Sequence, residues 1–238
     1  MTKEFKGSDG YFRVNFKTLE EQAPTTPQTF VGANRCGNTV CGFTNVPGFN
    51  AQTGSQYSLY TQGVPFVNPV TGATENVNLN KGITTNIKAV GFEFHDALAN
   101  GYTIDDKFRV NSQSGSFNST FWSPETLSAL QSSKAAGGYA MYVNGPNKGA
   151  IVTNSNLQAQ YLGQGLVSDG TAINVNMHDM GLIANDFAVS KKFVLGTSNV
   201  LDSKAGLYYS RQNVVQTWQV NEMVSEAAQN GALINVYN

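Results

Sequence analysis

Residues 86–111 read NIKAVGFEFHDALANGYTIDDKFRVN and alternate between apolar and polar side chains on both sides of a short break. Alternation with a period of two places successive side chains on opposite faces of a β-strand, so we expect strands at 86–95 and 102–111. The break contains Asn100-Gly101, a pair that adopts the positive φ angles of a tight hairpin turn. The apolar parity contains Val90, Phe92, Phe94, Tyr102, Ile104, Phe108 and Val110, with Asp106 as its exception.

Three further segments show the same alternation, at residues 11–17, 182–193 and 200–212. Each predicts a strand with one apolar and one polar face. Polar residues interrupt the apolar parity at Asn185 and Lys191. The apolar positions of the three segments are Phe12, Val14, Phe16, Ile183, Phe187, Val189, Phe193, Leu201, Ala205, Leu207 and Tyr209.

The connections between these five segments alternate between short and very long. Residues 96–101 and 194–199 are ordinary hairpin connections, whereas about 65 and about 70 residues separate the other neighbours, far above usual loop lengths. Transmembrane β-barrels combine short periplasmic turns with long extracellular loops. The sequence therefore predicts an all-β fold, a partial antiparallel transmembrane β-barrel of about five long strands. Residues 1–238 would form one incomplete barrel domain.

The long extracellular loops are expected to carry short helices. The first helix is predicted at Ser123–Leu130, with Ser123 as its N-cap. A second is predicted at Trp218–Ala228, where apolar residues recur at helical spacing. A short hairpin is expected between Tyr139–Val143 and Ala150–Thr153.

Charge and hydropathy patterning argue against several classes of function. The formal net charge is -1 and no run of one sign occurs, so nucleic acid is not an expected partner. The apolar runs are far shorter than the roughly 20 residues that a membrane-spanning helix needs. Residues 1–5, MTKEF, lack the apolar core of a secretory signal. We expect any export signal to be encoded upstream.

The two cysteines, Cys36 and Cys41, lie in the stretch RCGNTVC. A pair this close in a Gly/Asn loop can close a small disulfide ring, and free thiols are the alternative. Two cysteines without nearby histidines fall short of the four ligands of a structural zinc site. No metal and no cofactor is expected.

Six stretches along the chain, taken together, resemble the sequence of a known protein family. They are DGYFR at 9–13, NLNKGI at 78–83, KAVGFE at 88–93, NGYTIDDKFRV at 100–110, GSFN at 115–118 and GLYYS at 206–210. In this order and spacing they resemble mid-barrel sequence of TonB-dependent outer-membrane receptors. No TonB box, plug domain or C-terminal strand with a final aromatic residue is recognised, so the sequence is expected to be a barrel fragment.

The resemblance implies energised import of a scarce nutrient across the bacterial outer membrane. The ligand would be a ferric siderophore, cobalamin or an oligosaccharide, outer-membrane lipid would contact the strands, and TonB would act only through missing parts. Loop aromatics beside many amides suit sugars or catechol-like ligands. Cations on the polar strand faces can attract an anionic ligand, or simply pair and solvate. The ligand-binding candidates are Tyr57, Tyr60, Trp122, Tyr139, Tyr142, Arg13, Lys107 and Arg109.

No catalytic arrangement is recognised, so an enzyme is not expected. His95 stands at a strand end and His178 beside Asp179, without a third ligand at metal spacing. Asp105 and Asp106 are adjacent and point to opposite faces of a strand, so they cannot form an acid/base pair. No Ser, Cys or Lys lies in a nucleophile motif.

A secreted or surface β-sandwich, such as a carbohydrate-binding or adhesion module, is the alternative. It would bury its apolar faces against a second sheet instead of lipid. Sandwiches place turn signals about every 8 to 12 residues, which the alternation of short and very long connections does not match. The barrel interpretation also predicts that the chain expressed alone needs detergent, because open edges and a lipid-facing surface would be exposed.

Overall fold

A computed structural model gives the structure of this all-β chain. Strands make up 63% of it, and the residues that the structure describes contain one short α-helix, which confirms the predicted all-β class. The helix, α1, is Leu127–Lys134. The structure describes residues 1–5, 9–25, 29–134 and 137–238.

Fifteen strands are found in the described residues, and seven of them are long. The longest, β8, has 25 residues. In chain order the strands are β1 Thr2–Glu4, β2 Tyr11–Ala23, β3 Gly32–Cys36, β4 Thr39–Thr44, β5 Val64–Val67, β6 Thr74–Val77, β7 Ile83–Ala97, β8 Tyr102–Thr126, β9 Tyr139–Tyr142, β10 Gln160–Tyr161, β11 Gln164–Asp179, β12 Leu182–Leu195, β13 Asn199–Gln212, β14 Val215–Glu226 and β15 Leu233–Tyr237.

All five segments predicted from alternation lie in strands, namely β2, β7, β8, β12 and β13. The chain divides into two compact units. The first unit contains Met1–Glu21, Thr84–Gly115 and Asn176–Thr217, and the second contains Gln22–Ile83, Ser116–Val175 and Trp218–Asn238. The first unit therefore holds the predicted segments.

The first unit is a sheet with the hydrogen-bonded order β1-β2-β7-β8-β12-β13. Strands β12 and β13 are antiparallel over their full lengths, from the pair Leu182 and Gln212 to the pair Leu195 and Asn199. Strand β12 also pairs antiparallel with the first part of β8. All residues of β13 are exposed, as expected for an edge strand without a further neighbour in the described chain.

Both short turns of the first unit form as the alternation predicts. Between β7 and β8 the amide of Leu98 donates to the carbonyl of Tyr102 at 2.7 Å, and Gly101 has a φ of +80°. Between β12 and β13 the turn is tighter than the predicted 194–199, because β12 extends to Leu195 and Gly196 turns the chain with a φ of +73°. Glycine adopts these angles without the steric cost of a Cβ.

The second unit has the sheet order β8-β11-β14-β15-β9, with β10 beside β11. It also holds two separate hairpins, β3-β4 and β5-β6. Three hydrophobic clusters lie in this unit. Cluster 1 includes Leu130, Tyr142 and Ile234; cluster 2 includes Phe66, Trp122 and Met223; cluster 3 includes Phe30, Phe49 and Leu166.

The two helix predictions need correction. The helix predicted at Ser123–Leu130 begins at Leu127 instead, because β8 continues through Thr126 and Ser123 is part of that strand. The helix predicted at Trp218–Ala228 is wrong: β14 occupies Val215–Glu226. Pairing within the sheet, and a segment rich in aromatic and β-branched residues at its start, outweigh the helical spacing of its apolar residues.

The described parts of the two long connections contain regular secondary structure. The first contains β3 to β6, and the second contains α1, β9, β10 and β11. The predicted hairpin at Tyr139–Val143 forms in part: β9 faces residues 150–152, where the amide of Val152 donates to the carbonyl of Ala140 at 2.8 Å. Neither connection is therefore a single unstructured loop.

The cysteines lie at the end of the exposed hairpin β3-β4. Cys36 and Cys41 are joined by a disulfide with their Cα atoms 5.7 Å apart. Gly37, in the turn between them, has a φ of +65°. The bond closes a ring around the turn of a hairpin whose two strands pair with each other alone.

Candidate binding groove on the polar face of the first unit

The sheet of the first unit has two chemically different faces. Register assigns the faces, since directly paired residues point the same way. Ile183 pairs with Val110 and Phe187 with Leu207. The apolar face is defined by Phe12, Val14, Phe16, Val90, Phe92, Phe94, Tyr102, Ile104, Phe108, Val110, Ile183, Phe187, Val189, Phe193, Leu201, Leu207 and Tyr209. The polar face is defined by Tyr11, Arg13, Asn15, Lys17, Glu93, His95, Asp105, Lys107, Arg109, Asp186 and Tyr208.

A groove of about 370 Å³ lies on the polar face. Its floor contains Ala89, Gly91 and Ala184, on the strands β7 and β12 that flank β8. Because these three residues have little or no side chain, space remains beside the long side chain of Arg109. The groove therefore results from small residues on the two neighbours of a strand that carries a cation.

Five charged side chains line this groove: Lys17, Lys107, Arg109, Glu93 and Asp186. The carboxylate of Glu93 is already engaged, because Arg13 donates to it at 3.1 Å and Asn15 at 3.4 Å. Among residues that the structure describes, the three cations make no ion pair. The groove thus offers cationic groups that are free to meet a ligand.

The structure brings together some predicted ligand residues. Lys107 and Arg109 line the groove, and Arg13 borders it through its ion pair with Glu93. Arg13 also lies 5.0 Å from the ring centroid of Tyr11. These three cations come from β2 and β8, which lie on the two sides of β7, an order that the sequence alone does not give.

The predicted aromatic ligand residues lie elsewhere, in the second unit. Trp122 is 5% exposed in cluster 2 and Tyr142 is 1% exposed in cluster 1. Tyr57 and Tyr60 pack against clusters 2 and 1. Tyr139 is exposed and stacks on Tyr237 with ring centroids 5.3 Å apart. All five rings therefore contact protein, and four of them contribute to the hydrophobic clusters.

The histidines are hydrogen-bonded to single side chains. His95 Nδ1 lies 2.7 Å from Asp105, and its ring stacks on Tyr11. His178 Nε2 lies 3.0 Å from the hydroxyl of Thr217. In the described ranges no group of three or more His, Cys, Asp or Glu side chains has the arrangement of a metal site.

A second cavity, of about 510 Å³, lies in the second unit. Its polar groups are already engaged: Asn144 donates to the carbonyl of Tyr60 at 3.0 Å and accepts from the amide of Leu233 at 2.8 Å. Lys134 lies 3.0 Å from Asp169 and 3.1 Å from Glu222. This cavity offers fewer free polar groups than the groove.

Charges around Lys134 perturb one another. Desolvation opposes the ammonium charge, but hydrogen bonds and attraction to Asp169 and Glu222 outweigh it and raise the pKa of Lys134. Burial, and then repulsion from Asp169, raise the pKa of Glu125. These groups form a local network that stabilises the cation, so they are already used by the fold.

Sequence reasoning missed the residues that create the groove. Ala89, Gly91 and Ala184 carry no functional group, so nothing about them indicates a site in the sequence. Their parity in the alternating segments did assign Ala89 and Gly91 to the polar face. The sequence feature that could have indicated the groove is the occurrence of small residues at polar-face positions, where charged residues otherwise prevail.

Comparison with protein-family models, with curated proteins and with solved structures finds no match. None of the helices in the described portion of the chain has the length and apolar character to span a membrane.

Proposed function

We propose that this chain is a wall segment of a bacterial outer-membrane transport barrel of the TonB-dependent receptor kind. It would serve import of a scarce nutrient such as a ferric siderophore, cobalamin or an oligosaccharide. The proposal rests on one observation about the first unit. Among its described residues, only two apolar side chains are buried, those of Ala89 and Ala188. A sheet in water must cover one face with a second layer to be stable. Lipid removes that requirement.

The apolar face has the dimensions that a bilayer requires. Strand β12 has 14 residues, which correspond to roughly 43 Å along the strand and about 30 Å across a membrane at a tilt of about 45°. The hydrocarbon core of a bilayer is also about 30 Å thick. Leu207 is 77% exposed and Phe16 is 76% exposed. Their exposure is unfavourable in water and favourable against acyl chains.

The side chains near the short turns suit a membrane interface. Lys191 Nζ lies 4.1 Å from the ring centroid of Tyr102 and 5.3 Å from that of Phe193. Aromatic girdles flank the apolar band of outer-membrane barrels, and a lysine near a membrane boundary extends its ammonium toward water. Lys191 therefore fits the boundary of the apolar face.

One polar pair lies farther inside the apolar face. Asn185 Nδ2 donates to Asp106 at 2.6 Å. An unpaired carboxylate facing lipid is costly, so this hydrogen bond lowers the cost of placing Asp106 there. The pair also supplies a reason for two of the exceptions to the alternation, Asp106 and Asn185.

A β-sandwich module remains the competing proposal, and no particular observation favours it. It requires a second sheet over the apolar face. Within the first unit, the described strands form a single layer and supply no such cover. The polar face is also unsuitable as a sandwich interior, since Lys17, Lys107 and Arg109 would be buried without ion-pair partners.

Flotation with lipid vesicles tests the proposal. The 238-residue chain is refolded from urea in the presence of phospholipid vesicles and separated on a density gradient. We expect it to float with the vesicles, to resist extraction by high salt, and to precipitate when lipid and detergent are both withheld. A monomer that stays in solution without detergent and unfolds cooperatively would contradict the membrane assignment and support the sandwich.

A further inference from the structure

Arg109 occupies an unusual position in the polar face. It pairs across strands with Ala184, which in turn pairs with Ser210. On the other side of β8 lies Gly91, where an added Cβ would stand 3.4 Å from the carbonyl oxygen of Phe108. The guanidinium therefore has short neighbours on both adjacent strands, and its donors are not covered by them.

The charges around Arg109 favour a negative ligand. Lys17 and Lys107 line the same groove, and neither is neutralised by an ion pair in the described chain. Of the two carboxylates present, Glu93 is neutralised by Arg13 at 3.1 Å. Asp186 is paired in register with Lys107. With Arg13 included, four cations face two carboxylates, which leaves an excess of two positive charges.

We propose that this groove binds a small multivalent oxyanion, with Arg109 as its central ligand residue. The guanidinium is a planar fork that matches two oxygens of a carboxylate or phosphate. Lys17 and Lys107 contact further oxygens as point charges. The volume of about 370 Å³ is near the lower end of the range for small-molecule pockets, which favours a compact ligand over a polymer.

This inference rests on the proposed function, because a barrel wall turns its polar face toward an aqueous lumen. It adds a chemical class to that function: the cargo, or a group on it, is anionic. Carboxylate and phosphate share the geometry that a guanidinium recognises, so the two sources are separated by experiment.

Titration of the whole chain in micelles of an uncharged detergent tests the site. The probes are pyrophosphate and propane-1,2,3-tricarboxylate, each added at constant ionic strength with chloride as the reference anion. Isothermal calorimetry is expected to show saturable binding of at least one probe and none of chloride. The stronger probe identifies phosphate or carboxylate as the preferred group. Absence of saturable binding of both would overturn the site.

Charge variants separate a site from general attraction. Arg109→Gln is expected to weaken binding by at least about tenfold, since it removes a charged bidentate donor. Lys192→Gln is the matched control: it removes one charge from β12 outside the groove, where Lys192 pairs in register with Asp202. We expect the control to change affinity by no more than about twofold. Equal losses in both variants would reduce the effect to net charge and overturn the proposal.

A variant that keeps every charge tests the geometry. Ala184→Leu fills the floor beside Arg109 without removing a cation, and it is expected to abolish saturable binding by occupying the groove. Unchanged binding by Ala184→Leu would show that the anion does not enter the groove. Vesicle flotation is measured on the same preparations. Flotation without anion binding rejects the site alone, whereas anion binding without flotation rejects the membrane assignment.

Discussion

The two units of this chain differ in where their apolar residues lie. In the second unit, three clusters bury Leu130, Phe66 and Phe49 at 3% exposure or less. In the first unit, the large apolar side chains of the long strands are exposed or half-buried, with Leu207 at 77% exposure. The second unit therefore carries its own core, whereas the first unit has no hydrophobic cluster of buried residues among those described.

Polar groups follow the same division. The second unit buries amides and carboxylates in hydrogen bonds: Gln219 donates to Glu75 and to the carbonyl of Val67, and accepts from Asn174. In the first unit most charged side chains lie on the polar face, whereas Asp106, Lys191 and Arg211 share the face of Ile183 and Phe187. A core that buries polar groups must satisfy them, whereas a face in contact with water need not.

The largest expected effect comes from matched leucine truncations in the two units. Leu130→Ala removes a fully buried side chain from cluster 1 and should lower the free energy of unfolding by about 2–5 kcal/mol. Leu207→Ala leaves no protein cavity, so it should cost only the lost transfer of its side chain from water into the apolar surroundings, about 2 kcal/mol and less than Leu130→Ala. Urea unfolding in micelles, followed by tryptophan fluorescence, measures both. Equal costs would remove the distinction between the units.

A charge placed on each face of the first unit in turn tests whether that face contacts lipid or water. Phe92→Arg lies between Phe12 and Phe108 on the apolar face and should destabilise the vesicle-inserted chain by about 2–4 kcal/mol. Ser210→Arg, on the polar parity of β13, is the control and should change stability by about 0.5 kcal/mol or less. Equilibrium refolding into vesicles gives the values. A well-tolerated Phe92→Arg would place water on that face.

The buried carboxyl of Glu226 makes stability in the second unit depend on pH. Burial raises the pKa of Glu226, although the amide of Gln158 donates to its Oε1 at 3.0 Å and counteracts part of this effect. A carboxyl with a raised folded-state pKa favours the folded chain at low pH. That contribution is lost as pH rises through the folded-state pKa.

Glu226→Gln keeps an oxygen acceptor for Gln158 and removes the ionisation. We expect the variant to unfold at a higher urea concentration than the parent at about pH 7, and at a similar concentration at about pH 4. Unfolding midpoints measured across this range test the prediction. A difference that grows as pH falls would have the wrong sign and would contradict the assignment of a raised pKa.

The smallest effect on the overall stability of the chain is expected from removal of the disulfide. The hairpin β3-β4 pairs only with itself and most of it is exposed, so replacing Cys36 and Cys41 with serine should leave the urea midpoint of the clusters nearly unchanged. The local effect should be larger, because an opened ring lets the chain fray. Trypsin is therefore expected to cleave after Arg35 faster in the variant. A large shift of the global midpoint would show that the hairpin supports the core.

Much of the first unit was predictable because a strand face is encoded locally. Phe12, Val14 and Phe16 alternate with polar residues, so the apolar face of this strand can be assigned without knowing which strand pairs with it. The two glycine turns were likewise predictable, since Gly101 supplies a positive φ in a short connection. All of this information lies within a few residues of where it acts.

The second unit was less predictable because its structure depends on partners distant in sequence. Val220, Met223 and Val224 have helical spacing, but pairing of β14 with β11 decides the local structure. Burial of Trp122 likewise depends on a cluster assembled from distant segments of the chain. Ala184 lies beside Arg109 in the groove because of the pairing register between β12 and β8. Local patterns contain none of these pairings.

Two neighbouring residues test directly whether lipid covers the apolar face of the first unit. Leu207 and Tyr208 point to opposite faces of β13, and the disulfide leaves no other free thiol in the chain. Each is replaced by cysteine in turn, labelled with an environment-sensitive fluorophore and refolded into vesicles. We predict blue-shifted emission, quenched by lipid-borne quenchers, for Leu207→Cys, and water-like emission, quenched by iodide, for Tyr208→Cys. Water-like emission from both labels would contradict the account.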